Sequence, residues 1–183
     1  MNKTRLSKAT FVTRGYGQVE PNHLSAQRTA QIYAQLPADG GIDVLENGQF
    51  VKYDYATNKV NFTGAGEWML VYNEVKIYRT DESDADFAMV KGNYVANTYS
   101  ADGTAMPEGT TMVPRVFKTN IGDIMTLNTV KETELKVTDE LVVGDDGYLT
   151  KTAGENAGDM KWQVVKVYTL GDGQPAVKVM RIA

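Results

Sequence analysis

The sequence lacks cysteine and has a single histidine, His23, among its 183 residues. The absence of cysteine excludes disulfides, zinc–thiolate sites and thiol catalysis. One histidine excludes histidine-cluster metal sites and leaves little basis for a Ser-His-Asp triad. No run of residues approaches the 18 apolar positions of a membrane span, and the N-terminus has no apolar run of a secretory signal. These absences favour a function without catalysis, cofactor or membrane contact.

The residues that are present are typical of a mainly β protein of one domain, or two small ones. Apolar residues make up 42% of the chain and charged residues 23%, with a formal net charge of −4. Valine, threonine and tyrosine are abundant, and these side chains suit a pleated, half-buried surface. No long window repeats apolar residues at helical spacing. We predict a small β-barrel or sandwich with an extended N-terminal arm and a long irregular loop.

Charge is distributed unevenly along the chain. The first 30 residues hold five basic side chains and one acid, Glu20, whereas the rest holds fourteen basic and twenty-two acidic ones. A basic segment on an acidic body predicts an arm that docks on an acidic partner, with a solvated tail as the alternative. The acidic body argues against direct nucleic-acid binding. The predicted arm contacts are Lys3, Arg5, Lys8, Arg14 and Arg28.

The segment 24–36 alternates between apolar and polar residues, interrupted only by Arg28. A period of two predicts an extended strand, and a short helix is the rival interpretation. Thirteen extended residues would span roughly 40 Å at ~3.3 Å per residue, which exceeds the usual strand. We therefore expect this segment, including Ile32 and Tyr33, to pair with a neighbouring subunit.

The pattern of strands and turns divides the chain into three regions. An extended basic arm covers 1–37, a β-rich region with an irregular loop covers 38–110, and a compact β-barrel or sandwich covers 111–183. The predicted strands are 50–55, 60–62, 67–78, 112–117, 123–127, 140–143, 148–151, 161–170 and 176–182. Turn residues at 144–147 and 171–175 join the later strands into hairpins.

Few residues indicate chemistry. The acidic loop 81–86 could ligate Ca²⁺ but lacks the EF-hand spacing, so a solvated loop is favoured. Trp68 and Trp162 each begin a strand, and a place in the core is favoured over a ligand platform. His23 is expected to make a polar contact. No metal site is predicted.

Several stretches resemble small structural proteins of tailed bacteriophages. They are TRGYGQVEP at 13–21, AQIYAQLP at 30–37, LENGQFVKYD at 45–54 and GDIMTL at 122–127. The C-terminal pattern is similar to β-rich head decoration domains. This resemblance implies a capsid cement protein that sits on the outer shell, often as a trimer, with its N-terminal arm laid over the major capsid protein.

The sequence and the resemblance together favour a virion structural protein, made in the host bacterial cytoplasm and located on the capsid surface. The alternatives are a tail tube or head–tail connector subunit, and a carbohydrate-binding β-sandwich of a fibre or adhesin. We predict that deleting residues 2–20 abolishes shell binding and leaves the body folded.

Overall fold

The computed structural model describes residues 7–13, 15–23, 32–33, 36–72, 88–90, 112–171 and 173–183. Within these ranges the chain forms strands and turns and no helix, which confirms the mainly β prediction. The strands are β1 Val19–His23, β2 Ile32–Tyr33, β3 Val44–Glu46, β4 Phe50–Asp54, β5 Lys59–Asn61, β6 Trp68–Val71, β7 Ala88–Val90, β8 Val116–Lys118, β9 Ile124–Leu127, β10 Glu140–Val143, β11 Leu149–Thr150, β12 Lys161–Thr169 and β13 Pro175–Arg181.

These strands form two main antiparallel sheets and a small third one. The larger sheet has six strands in the order β1-β9-β13-β12-β10-β11, and the second has five in the order β2-β8-β6-β4-β5. Strands β3 and β7 pair separately. Among the described strands neither main sheet closes on itself, so the arrangement agrees with a small sandwich and not with a closed barrel.

The main core lies between the two large sheets. The six-stranded sheet contributes Trp162, Val177 and Leu127 to it, and the five-stranded sheet contributes Phe50 and Leu70. The ring centroids of Phe50 and Trp162 lie 5.7 Å apart across the two layers. Burial of this apolar surface, at roughly 25 cal/mol per Å², holds the sheets together.

The five-stranded sheet is buried on both faces. In β6, Trp68 and Leu70 enter the main core, whereas Met69 and Val71 enter a second cluster on the opposite face. Loop residues such as Ile42 cover that second cluster. The two-residue alternation of a strand explains this division.

Most of the predicted strands of the C-terminal half coincide with the observed ones. Strand β10 has the predicted bounds, and β9, β12 and β13 differ by a residue at one or both ends. The strand predicted at 112–117 begins only at Val116. Pro114 explains the later start, since proline has no N–H to donate to a ladder. Residues 73–78 of the strand predicted at 67–78 lie outside the described residues.

Both large sheets draw strands from more than one of the three predicted regions. Strand β1 comes from the region predicted as an arm and pairs with β9. Strand β8 lies in the predicted C-terminal domain but joins β6 in the five-stranded sheet. Strand β7 occurs within the stretch predicted as irregular. The regions therefore share sheets instead of forming separate ones.

Candidate functional site

A buried carboxylate, Glu46, connects the N-terminal segment to the body. Glu46 ends β3, just before a turn in which Gly48 has a φ of 87°, and its side chain is fully buried. Ser7 Oγ donates to Glu46 Oε2 at 2.9 Å, and the Gly17 backbone N–H donates to Oε1 at 2.9 Å. The Tyr148 hydroxyl also donates to Oε2. Three donors from distant parts of the chain therefore meet on one carboxylate, which offsets much of its burial cost.

The Tyr148 phenol is held in its protonated form. Burial raises its pKa, and the negative charge of Glu46 raises it further. The phenol therefore remains a hydrogen-bond donor throughout the neutral range. Tyr148 also packs with Ala9 and Val12, which are both fully buried. The same side chain thus contacts the N-terminal segment through its ring and the carboxylate through its hydroxyl.

Further backbone and side-chain hydrogen bonds continue this attachment along the N-terminal segment. Thr10 N–H donates to the Val130 carbonyl at 2.7 Å, and Thr13 N–H donates to Gln174 Oε1 at 2.9 Å. Gln18 N–H donates to Asn128 Oδ1 at 2.6 Å. We call the described residues 7–13 and 15–20, with these contacts, the anchored segment.

The anchored segment lies close against the body at Gly17. A Cβ built on Gly17 would lie 2.0 Å from Cγ2 of Thr129. Real Cβ atoms do not approach so closely, so glycine is required unless Thr129 moves. Phe11, in the same segment, belongs to the main core. The expectation that residues 2–20 can be deleted without unfolding the body is therefore not supported, because residues 7–13 and 15–20 are part of that body.

The structure places only some of the predicted arm contacts. Lys8 is exposed, next to buried Ser7. Ile32 and Tyr33 form β2, which pairs with β8 of the same chain. The other predicted contacts lie outside the described residues; they are Lys3, Arg5, Arg14 and Arg28. The acidic loop 81–86, and 24–31 and 34–35 of the predicted long strand, lie outside them as well.

Both tryptophans are core residues. Trp68 is 2% exposed, and Trp162 is fully buried in the main core. Trp68 Nε1 donates to the Ala157 carbonyl at 2.7 Å, and Lys52 Nζ lies 4.8 Å from the centroid of its ring. A sugar platform needs an exposed aromatic face, and neither indole offers one. The favoured interpretation of both residues as core is confirmed.

Exposed carboxylates stabilise loops. Asp145 Oδ1 accepts the Asn156 N–H at 2.8 Å, and Oδ2 accepts the Glu155 N–H at 3.2 Å. The Asn156 bond is the main reason that the pKa of Asp145 is lowered. Partial burial lowers the pKa of nearby Lys52, whereas the attraction of Asp145 raises it.

Among the described residues, no three acidic or histidine side chains gather as a metal site.

Sequence reasoning missed the Glu46 cluster. Its members Ser7, Glu46 and Tyr148 lie far apart in sequence and follow no motif. The one available signal is that an acid, Glu46, directly precedes an Asn-Gly turn within a stretch whose other residues are typical of a strand. The arrangement is a structural anchor, because all three donors come from the chain itself.

Comparisons with protein-family models, curated proteins and solved structures give no match to this chain. In the described part of the chain, no helix has the length and apolar character needed to cross a membrane.

Proposed function

We propose that this chain is a non-enzymatic structural protein of a tailed-bacteriophage virion, and more narrowly a head decoration or cement protein. It would bind the lattice of the major capsid protein and stabilise the shell. Its partners would be the major capsid protein and neighbouring copies of itself. The resemblance of its sequence stretches to such proteins motivates the proposal.

The observation that carries the proposal is the anchored segment. Ser7 and Gly17 are fixed to Glu46, and Thr13 is fixed to Gln174. The basic residues Lys3 and Arg5 lie within four positions of Ser7, so the chain joins them to a residue that is hydrogen-bonded to the buried Glu46. Pre-organisation of this kind lowers the entropy lost when a basic segment docks on a surface.

Charge supports the same function. The basic first 30 residues are joined to a body in which acids outnumber bases. Such a molecule would orient its basic end toward an acidic surface and turn its acidic body outward. When many copies bind one lattice, contacts that are weak individually together give a high overall affinity. A cement protein needs no more than this stable body and its charged end.

Co-sedimentation with empty capsid shells that lack this protein tests the proposal. The wild-type chain should pellet with the shells and saturate at a fixed ratio. A triple variant, Lys3→Ala, Arg5→Ala and Lys8→Ala, should lose at least about tenfold in affinity, since each surface charge contributes a few tenths to about 1 kcal/mol. The matched control removes three lysines elsewhere, Lys59→Ala, Lys136→Ala and Lys161→Ala, and should bind like the wild type.

Two results would count against the proposal. A wild-type chain that never pellets with shells overturns the cement function, and equal loss of binding in both triple variants overturns the role of the basic end. Assembly of the purified chain into tubes or rings without shells would instead indicate a tail tube or connector subunit.

A further inference from the structure

In the described part of the chain, no strand pairs with the far half of β12 on the side where β10 lies. Strand β10 pairs with β12 only at 161–163. Val164 then exchanges hydrogen bonds with the loop before β10, accepting from Thr138 N–H and donating to the Asp139 carbonyl, both at 2.8 Å. From Lys166 to Thr169, β12 is paired on its other side by β13 alone.

The register shows which backbone groups face this open edge. Leu170 N–H donates to the Gln174 carbonyl at 2.8 Å, on the β13 side. In an antiparallel pair, alternate residues bond to the same neighbour, so Lys166 and Tyr168 also direct their N–H and C=O toward β13. Val167 and Thr169 therefore direct theirs away from it. Among the described residues, none bonds to these four groups.

Two other edges of the sheets, those of β5 and β11, are covered. Strand β5 is capped by the segment around Ala38, with Val60 N–H donating to the Pro37 carbonyl at 2.8 Å. Strand β11 is capped through Leu149, whose carbonyl accepts Lys131 N–H at 2.9 Å. The open stretch of β12 differs from both, and an uncovered edge of this kind is a template for another strand.

The side chains also favour a partner at this edge. Val167 lies opposite Val177, which lies opposite Leu127 in the next strand, so all three share the core-facing side of the sheet. Val177 and Leu127 are fully buried, whereas Val167 is 48% exposed. An apolar row of the core thus ends in solvent at the same point where the backbone is unpaired.

We propose that residues 167–169 pair antiparallel with the same residues of a second copy of this chain, around a two-fold axis at Tyr168. Val167 then lies opposite Thr169 of the second copy, and Thr169 opposite its Val167. All four open backbone groups of each copy are satisfied in this register. The two six-stranded sheets become one continuous sheet across the dimer, with the same surface used by both copies.

The symmetric register favours a second copy as the occupant, because it keeps the lysines of the two copies apart. Lys166 and Lys178 are directly opposite each other within the chain, so a further lysine at this place would be repelled. Pairing around Tyr168 puts the two Lys166 side chains at opposite ends of the paired stretch. The centre holds two tyrosine rings, an aromatic cross-strand pair, and Lys166 Nζ already lies 5.5 Å from the Tyr168 ring centroid.

The features that usually protect an edge do not block this one. A register shift occurs between Val164 and Lys166, but it lies at the near end of the open stretch. No proline occurs in β12.

The paired stretch is short, so the dimer is expected to be weak in dilute solution and to be populated where copies are concentrated, as on a lattice.

Single-cysteine cross-linking tests this pairing cleanly, because the wild-type chain has no cysteine. Residues opposite each other in a non-hydrogen-bonded pair have Cα atoms about 4.5 Å apart, which a disulfide can bridge. Tyr168→Cys should therefore form disulfide dimers at least about ten times faster than Ile121→Cys at equal concentration. Ile121 is 71% exposed in a turn away from this edge and serves as the matched control.

A second substitution identifies the edge. Val167→Pro removes an N–H that faces the open side and leaves the bonds to β13 intact. Added to Tyr168→Cys, it should abolish the rate advantage, and Thr169→Pro should do the same if Val167→Pro unfolds the protein. Equal rates for Tyr168→Cys and Ile121→Cys, or an advantage that survives both proline substitutions, would overturn the proposal. The test needs no shells, so its outcome is independent of the cement function.

Discussion

Glu46 is the residue on which the N-terminal attachment depends most. Its two oxygens accept from Ser7, Gly17 and Tyr148 in a buried site. Hydrogen bonds to a charged group contribute more than neutral ones, about 1.5–3 kcal/mol each before other losses. A glutamine side chain has the same shape, but its NH₂ group would face a hydrogen-bond donor in place of one carboxylate oxygen.

We predict that Glu46→Gln lowers the free energy of unfolding by about 1–3 kcal/mol, because the amide NH₂ cannot accept from Tyr148 or Gly17. Urea denaturation measures the change. The control is Glu140→Gln, whose side chain is 56% exposed and whose loss should stay within about 0.5 kcal/mol. Equal effects of the two substitutions would show that the buried carboxylate contributes no more than a surface one.

Asp145 gives a pH-dependent prediction. Its pKa lies below the ordinary value of about 3.9, chiefly because it accepts the Asn156 N–H. The folded state thus binds this proton less readily than the unfolded state. The stabilisation is complete above pH ~3.9 and is lost as the pH falls through the lower folded pKa.

Stability of the wild type should therefore fall on acidification below pH ~4, and Asp145→Asn should show a shallower fall over that range. Thermal unfolding between pH 2 and 6 measures the slope, and an NMR titration of the Asp145 carboxyl measures the pKa directly. A carboxyl that titrates at or above about 3.9 would contradict the prediction.

At the scale of elements, the sequence predicted the strands with clear alternation and turn residues. Strand β10 and the 144–147 turn were predictable because Gly-Asp-Asp-Gly separates two apolar runs. Which strands would be neighbours was not predictable, since β8 joins β6 across 44 residues with no local signal in either. The Glu46 cluster was hidden for the same reason, because Ser7 and Tyr148 meet only through the tertiary fold.

The turn between β10 and β11 connects the two sheets. Gly147 has a φ of 80°, and its carbonyl accepts the Phe50 N–H at 2.8 Å. A Cβ on Gly147 would lie 2.1 Å from the Phe50 carbonyl oxygen. This glycine is thus required both by its backbone angle and by the close approach of β4.

We predict that Gly147→Ala destabilises the fold by about 2–5 kcal/mol, since a left-handed backbone and a steric overlap add together. Gly173→Ala is the matched control, because Gly173 has a φ of 84° but nothing within 4 Å of its Cβ position. Only the backbone cost of about 1–2 kcal/mol should remain there. Urea midpoints measure both, and a Gly173 effect as large as that of Gly147 would contradict the role of the contact.

At the scale of the whole molecule, the anchored segment makes the N-terminus part of the body. Phe11 and Val12 are buried, and β1 forms one end of the six-stranded sheet. Charge and the alternation of residues 24–36 predicted an arm over 1–37, because neither pattern shows which backbone groups a segment can satisfy. The basic residues and the anchoring residues occupy the same stretch but have different functions.

Two deletions should separate those functions. Removal of residues 2–6 should leave the melting temperature within a few degrees of the wild type and weaken shell binding. Removal of residues 2–20 should prevent stable folding, because losing Phe11 alone costs about 3–5 kcal/mol of a typical total of 5–15 kcal/mol. Circular dichroism melts measure both. Cooperative melting of the longer deletion near the wild-type temperature would contradict the anchoring.

The hydrogen bond from Thr13 to Gln174 joins residues 161 positions apart. A ribosome makes the chain from the N-terminal side at about 5–20 residues per second, so Thr13 waits roughly 8–32 s for its acceptor. Tyr148, against which Ala9 and Val12 pack, is also made much later, so these two side chains lack that partner for most of the interval. The anchored segment, although made before the C-terminal hairpin, therefore completes its contacts only after that hairpin has been synthesised.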